Sequence, residues 1–163
     1  MDNLKHKILT IIEKNSRIDM KELAVLLGMG EIEIINAMQE MQDDGIICGY
    51  HTMIDWEKTG IERVTALIEV RVTPQRGKGF DDIAERIYKY PEVDCTYLIS
   101  GGYDLMVILE GKTLKEVSGF VTNKLSTLDT VMSTATHFIL KKYNDHGTIM
   151  AKKHEDQREI ITP

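Results

Sequence analysis

The spacing of apolar residues changes period near Gly60, and this switch constrains the fold more than any single motif. Before it, Leu4, Ile8, Ile11 and Ile12 recur at helical spacing. After it, Val64, Ala66, Ile68, Val70 and Val72 alternate with Thr65, Leu67, Glu69, Arg71 and Thr73 until Pro74. A helical third followed by alternating strands predicts an α+β chain. Its expected parts are residues 1–60, residues 61–143 and a polar tail over 144–163. The 163 residues suffice for one domain or two small ones.

In the first part the spacing predicts a helix over about 4–14. Asp19 with Glu22 three residues later forms a variant capping box that opens a second helix. Leu23, Ala24 and Leu27 are its inward residues, and Gly28 stops it. A third helix runs from Glu31 to about Asp43, with Ile32, Ile35, Met38 and Met41 as the expected buried seam. Ile46 to Ile54 reads as two short strands around Gly49-Tyr50. Helix, short glycine-containing turn, helix and hairpin make a winged helix-turn-helix pattern, whose third helix enters the DNA major groove.

The second part reads β-α-β-β-α-β. Phe80, Ile83, Ala84, Ile87 and Tyr88 mark one helix, and Leu114, Val117, Val121, Leu125 and Leu128 the other. Val93–Ser100 and Tyr103–Glu110 are strands reversed at Gly101-Gly102, and Val131–Tyr143 is the last strand. This is a ferredoxin-like arrangement with helices on one sheet face. Leu67, Met106, Ile108 and Phe138 are expected on the other face, which calls for a second copy to cover it. Trp56 is expected as an anchor between the domains, and the tail as a segment docking on a neighbouring subunit.

Several function classes are disfavoured. No fully apolar run exceeds five residues, as at Leu105–Leu109, so no membrane span is expected, and the N-terminus lacks an apolar signal core. A cytosolic protein follows, with Cys48 and Cys95 expected as reduced, small buried side chains. The five histidines have no metal-ligand spacing, so no metal and no cofactor are expected. Gly77-Lys78-Gly79 lacks the spacing of a phosphate loop, and no nucleophile turn supports a catalytic triad; an enzyme is not expected.

The whole pattern resembles the Lrp/AsnC family of feast/famine transcription regulators, from about Leu4 to Tyr143. Glu22-Leu23-Ala24 through Gly28-Met29, then Gly45-Ile46-Ile47 and Gly49-Tyr50, are similar to that family's winged helix-turn-helix. Ser100-Gly101-Gly102-Tyr103-Asp104 resembles the Thr-Gly-x-x-Asp effector loop of its ferredoxin-like sensor domain. The resemblance implies sensor domains that form a homodimer assembling to a tetramer or octamer. It also implies DNA as target and an amino acid, or a similar small metabolite, bound between dimers.

The loop chemistry suits such a ligand. Glycines at 101 and 102 leave backbone N–H groups open to a carboxylate, and Asp104 supplies an anion for an α-ammonium group. Ser100 and Tyr103 add hydroxyls, and Thr134 or Thr136 on the last strand is expected to line the same interface. Read without the family, the same residues also fit a plain Gly-Gly hairpin with a solvated Asp.

Charge complicates the DNA reading. The net charge is −6, and residues 1–60 carry −5 of it, from 6 basic and 11 acidic side chains. No Lys or Arg occurs between Lys21 and Lys58. Where the family pattern places cations on the third helix, this chain has Asn36, Ala37, Gln39 and Glu40, with Glu31 and Glu33 leading the helix. Asn36 and Gln39, with Glu33, can address base edges, while Lys21 on the second helix is a candidate phosphate contact. Weak DNA binding with a shallow salt dependence is expected. The alternative is an effector-sensing subunit that has lost direct DNA binding and acts through protein partners.

Overall fold

The computed structural model describes residues 2–73 and 79–150. The chain divides into two compact units, Met1–Met53 and Ile54–Pro163. Gly77-Lys78 and the tail beyond Met150, with its Ile160-Ile161 pair, lie outside the described residues.

The first unit holds α1 (Asn3–Ile12), α2 (Met20–Leu27) and α3 (Glu31–Asp43). Asp2 and Asp19 cap α1 and α2 by accepting from the amides of Leu4 and Lys21. Gly28 ends α2 at φ +66°, where Met29 N–H bonds Ala24 O and Gly28 N–H bonds Val25 O. This is a Schellman closure, and it turns the chain into α3 within three residues. The core is Ile8, Ile12, Ile18, Leu23, Ala24, Ile34, Ala37, Met38 and Met41.

Two expectations fail here. The seam of α3 is Ile34, Ala37, Met38 and Met41, whereas Ile32 is 75% exposed and Ile35 45%. Steps of three residues drift around a helix, so a strict run from 32 to 41 turns through about 180° and cannot lie on one face. The second failure is the hairpin, since residues 46–54 form no strand. The amides of Ile46 and Ile47 both bond Met41 O, finishing α3, and Tyr50 accepts a bond from Gln42 (3.1 Å). Those groups are spent on the helix end and not on a ladder.

The second unit is a four-stranded antiparallel sheet in the order β2-β3-β1-β4, made of β1 (Val64–Val72), β2 (Val93–Leu98), β3 (Leu105–Gly111) and β4 (Val131–Phe138). The helices α4 (Asp81–Tyr88) and α5 (Leu114–Phe120), the latter continued by a π-helical turn over Val121–Leu125, supply the residues that cover one face. A short ladder joins β5 (Asn144–Asp145) to β6 (Thr148–Ile149). Alternation in β1 sends Ala66, Ile68, Val70 and Val72 into the core against Ile83, Ile87, Val117, Phe120 and Leu125. Gly111 is required by close packing, because a Cβ there would stand 2.8 Å from Val117 Cγ2. Tyr88 and Leu114, expected in helix seams, are exposed; Tyr90 instead packs edge-on against Phe120 with ring centroids 5.2 Å apart.

Register settles the other face. Leu67 pairs with Ile108 and His137, Glu69 with Met106 and Ala135, and Cys95 with Ile108, so these side chains share the face away from the helices. Leu67, Met106 and Ile108 are half-buried there, as expected. Phe138 is not: it pairs with Ala66 and packs against the helix-side core. The last strand stops at Phe138, with Ile139 bonding Thr65 O just beyond it. Cys95 is half-buried, and burial pushes its thiol pKa up, leaving little thiolate. Cys48, expected buried, is exposed.

Candidate functional site

Helix α3 presents two opposed stripes. Ile34, Ala37, Met38 and Met41 face the core; Ile32, Ile35, Asn36 and Gln39 lie within an arc roughly 100° wide on the opposite side. Ala37, expected among the outward residues, is buried. Glu33 is exposed but stands about 100° around the helix from Ile32. Glu40 is held by Lys5 of α1 at 2.9 Å, and this bond raises the Lys5 ammonium pKa against a smaller opposing effect of burial. Gln39 donates to Asp43 Oδ1 at 2.9 Å. Lys21 is exposed in the first turn of α2, its backbone N–H held by Asp19. Ile32 and Ile35 escaped the sequence reading because they resembled core; the competing i, i+3, i+4, i+7 seam through Ile34 was the available signal.

In the second unit, the loop from Ser100 to Asp104 sits at the far end of β1. Ile99 N–H bonds Asp104 O (2.8 Å), and Asp104 N–H bonds Val70 O (3.1 Å). The Asp104 carboxylate accepts from Val72 N–H at 2.8 Å through Oδ2. Among the described residues, the backbone N–H groups of Ser100, Gly101, Gly102 and Tyr103 meet no acceptor. Neither glycine has a positive φ; a Cβ at Gly102 meets nothing within 4 Å, and at Gly101 only Ile99 Cγ2 at 3.6 Å. The folded chain itself therefore does not demand glycine at either position. Tyr103 OH lies 3.9 Å from Met106 Sδ. Thr134 is the β4 partner of Val70, so β1 separates it from the loop by two strand spacings, roughly 10 Å. The loop and Thr134 share one end of the sheet but do not touch through a single chain's pairing.

A cavity of about 470 Å³ lies elsewhere, at the start of β1, lined by Trp56, Ile61, Arg63, Val64, Glu110 and Lys141 among others. Thr65 and Val72 are seven residues apart on β1, placing the cavity roughly 24 Å from the glycine loop. Arg63 forms it, with its guanidinium 3.6 Å from the Trp56 ring centroid and Nη1 2.7 Å from Glu110 Oε2. Trp56 thus finds its cation–π partner inside its own unit. On the sheet's open face, His137 is exposed with Nε2 3.3 Å from Glu69 Oε1.

Among the described residues no group of three His, Cys, Asp or Glu side chains is placed to hold a metal ion, and no helix is long and apolar enough to cross a membrane.

Comparison with known proteins assigns both units. Residues 1–47 match the family described as winged helix-turn-helix DNA-binding, and residues 65–149 that described as the Lrp/AsnC ligand binding domain. The chain is 46% identical to the uncharacterized HTH-type transcriptional regulator YugG of Bacillus subtilis, over 96% of this chain and 95% of that protein. It is 28% identical to the proline dehydrogenase transcriptional activator of Rhodobacter capsulatus, over 86% and 91% of the two chains. Its fold matches the transcriptional regulator NMB0573/L-Met complex of Neisseria meningitidis with a TM-score of 0.72, at 21% identity over 91% of this chain and 96% of that one. It also matches E. coli AsnC with a TM-score of 0.66, at 24% identity over 87% and 93%. These relatives are regulators of transcription and not enzymes. A helix-turn-helix followed by an antiparallel sensor sheet, each matched in order along one chain, places this protein in the Lrp/AsnC family of transcription regulators.

Proposed function

We propose that this regulator binds DNA through α3 and is tuned by a free amino acid held at Ser100–Asp104. The observation that carries the reading is the row of open amides at Ser100, Gly101, Gly102 and Tyr103, next to an anchored carboxylate. Consecutive N–H groups suit a ligand carboxylate, and Asp104 suits its α-ammonium group. Oδ2 of Asp104 is engaged by Val72, which leaves the other lone pairs of the carboxylate for a ligand. A protein of the same fold is known as an L-Met complex, which supports the ligand class.

Ser100, Gly101 and Gly102 are exposed in one chain, so the site is completed by another copy. The open sheet face, with Leu67, Met106 and Ile108 half-exposed, supports a homodimer, and dimers meeting near the loops make a tetramer or octamer. Cytoplasmic action follows from a DNA target. Ser100 and Tyr103 add hydroxyl contacts, while Thr134 lies across β1 and serves the same end of the sheet.

Thermal unfolding of the full chain against a panel of the free amino acids tests this. At least one should raise the midpoint in a concentration-dependent way, and Asp104→Asn should need tenfold or more ligand for the same shift. An Asp104→Asn protein stabilised as well as wild type would remove the loop from the proposal.

A further inference from the structure

We infer that the outward stripe of α3 is built to read A·T base pairs, with Ile32 and Ile35 packing on thymine methyl groups and Asn36 bonding adenine. This rests on the proposal that α3 is the DNA-reading helix.

The side of α3 farthest from the core carries two isoleucines and two amides, in the order Ile32, Ile35, Asn36 and Gln39. Ile32, exposed to 75%, and Ile35, to 45%, lie one turn apart on this stripe, so the helix turns a joint apolar surface outward. A recognition helix puts its N-terminal residues against base edges, and Ile32, Ile35 and Asn36 occupy the first two turns of α3. In the major groove the apolar feature is the thymine C5 methyl, and adenine N6 and N7 are the edge that an asparagine amide matches in bidentate fashion. Guanine is read chiefly by Arg or Lys, and α3 contains neither. Of the acids of α3, Glu31 and Glu33 lie on its flanks and Glu40 is bonded to Lys5, while Asp43 falls on the stripe only in the last turn, beyond the N-terminal turns that meet base edges. Gln39 is one turn further along and engaged with Asp43, so it is the weaker of the two amides for base contact.

The test begins with selection of duplexes by the full chain from a random pool at low salt. The enriched half-site is then remade with uracil in place of thymine, one position at a time. That exchange removes a methyl group and leaves the pairing edge intact. At the positions under Ile32 and Ile35 it should weaken binding about three- to fourfold each. Ile32→Ala, a change at an exposed position, should bind the thymine and uracil duplexes equally at one of them. Replacing one adenine by 7-deazaadenine should weaken wild type and leave Asn36→Ala indifferent. Binding without any thymine-to-uracil effect, or half-sites built on guanine, overturns the inference while leaving α3 as the DNA helix. Failure to retain any duplex at low salt overturns the DNA reading itself, and this inference with it.

Discussion

The backbone N–H of Val72 donates to the carboxylate of Asp104 at 2.8 Å, where the β1–β3 ladder, whose last register pair is Val70↔Leu105, gives out. A side chain thus extends the ladder by one bond and is fixed beside the open amides of Ser100–Tyr103. Structure and the proposed ligand chemistry therefore make separate demands on Asp104, and substitutions can divide them. Asp104→Ala leaves a part-buried amide unpaired and should cost about 1–3 kcal/mol in urea unfolding. Asp104→Asn keeps an oxygen acceptor for Val72 and should stay close to wild type in stability. Calorimetric titration should nevertheless find its affinity for the proposed amino-acid effector reduced by tenfold or more, because a charge-assisted bond becomes a neutral one.

Glycines supply a second separation. At Gly102 an added Cβ meets nothing within 4 Å and the backbone is not left-handed, so Gly102→Ala should unfold within about 0.5 kcal/mol of wild type. Its methyl group would fill the open space beside the loop, and affinity for the proposed effector should fall. Gly111→Ala should do the reverse. Its Cβ would press to 2.8 Å from Val117 Cγ2 in the core, at a cost of about 1–3 kcal/mol in urea, with effector binding by the folded fraction retained.

The two readings of α3 and β1 show why parts of the fold were legible in the sequence and parts were not. β1 has one buried face, and a period of two can be satisfied there in only one phase, so Ala66 to Val72 announce themselves. α3 offers Ile32, Ile34, Ile35, Met38 and Met41, enough apolar residues for two overlapping seams, and the strict three-residue run was the wrong one. The hairpin over 46–54 failed because β-branched residues describe what a strand tolerates, whereas Ile46 and Ile47 were already claimed by the last turn of α3. Phe138 lies on the helix side and not on the open face, and the register with Ala66 that puts it there cannot be read before the strands are paired. The glycine loop was legible as chemistry, but the two strand spacings between it and Thr134 follow from the strand order, which no single segment writes. The cavity beside Trp56 had no motif to announce it, since Arg63 and Glu110 are 47 residues apart.

Acid stability follows from a different pair. Lys124 Nζ lies 2.5 Å from Glu92 Oε1 and 5.3 and 5.4 Å from the rings of Tyr90 and Phe120. The hydrogen bond from Lys124 is the main reason that the Glu92 carboxyl is held below its ordinary value of 4.5; partial burial opposes it. A carboxyl with a lowered folded pKa binds fewer protons in the native state, so its stabilisation is complete above about pH 4.5 and is lost as pH falls through the folded value. Glu92→Gln should therefore lower the thermal midpoint at pH 7. The gap to wild type should narrow steadily below pH 4.5, and an unchanged gap down to pH 3 would contradict the pairing.

The salt dependence of DNA binding tests how this acidic unit grips its target. The cations of the first unit are Lys5, Lys7, Lys14, Arg17 and Lys21, and Lys5 is engaged by Glu40. At most about four phosphates per protomer are then neutralised, so log K against log salt should fall with a slope no steeper than about −4 per protomer. Gln39→Lys, on the outward stripe of α3, should steepen that slope by about 0.9 and raise affinity for all sequences alike. Lys21→Ala should make it shallower by a similar amount. Asn36→Ala should leave the slope unchanged while relaxing sequence preference, because a base contact releases no counterion. A filter-binding series over several salt concentrations separates the three, and a steep wild-type slope would mean that cations outside this unit carry the grip.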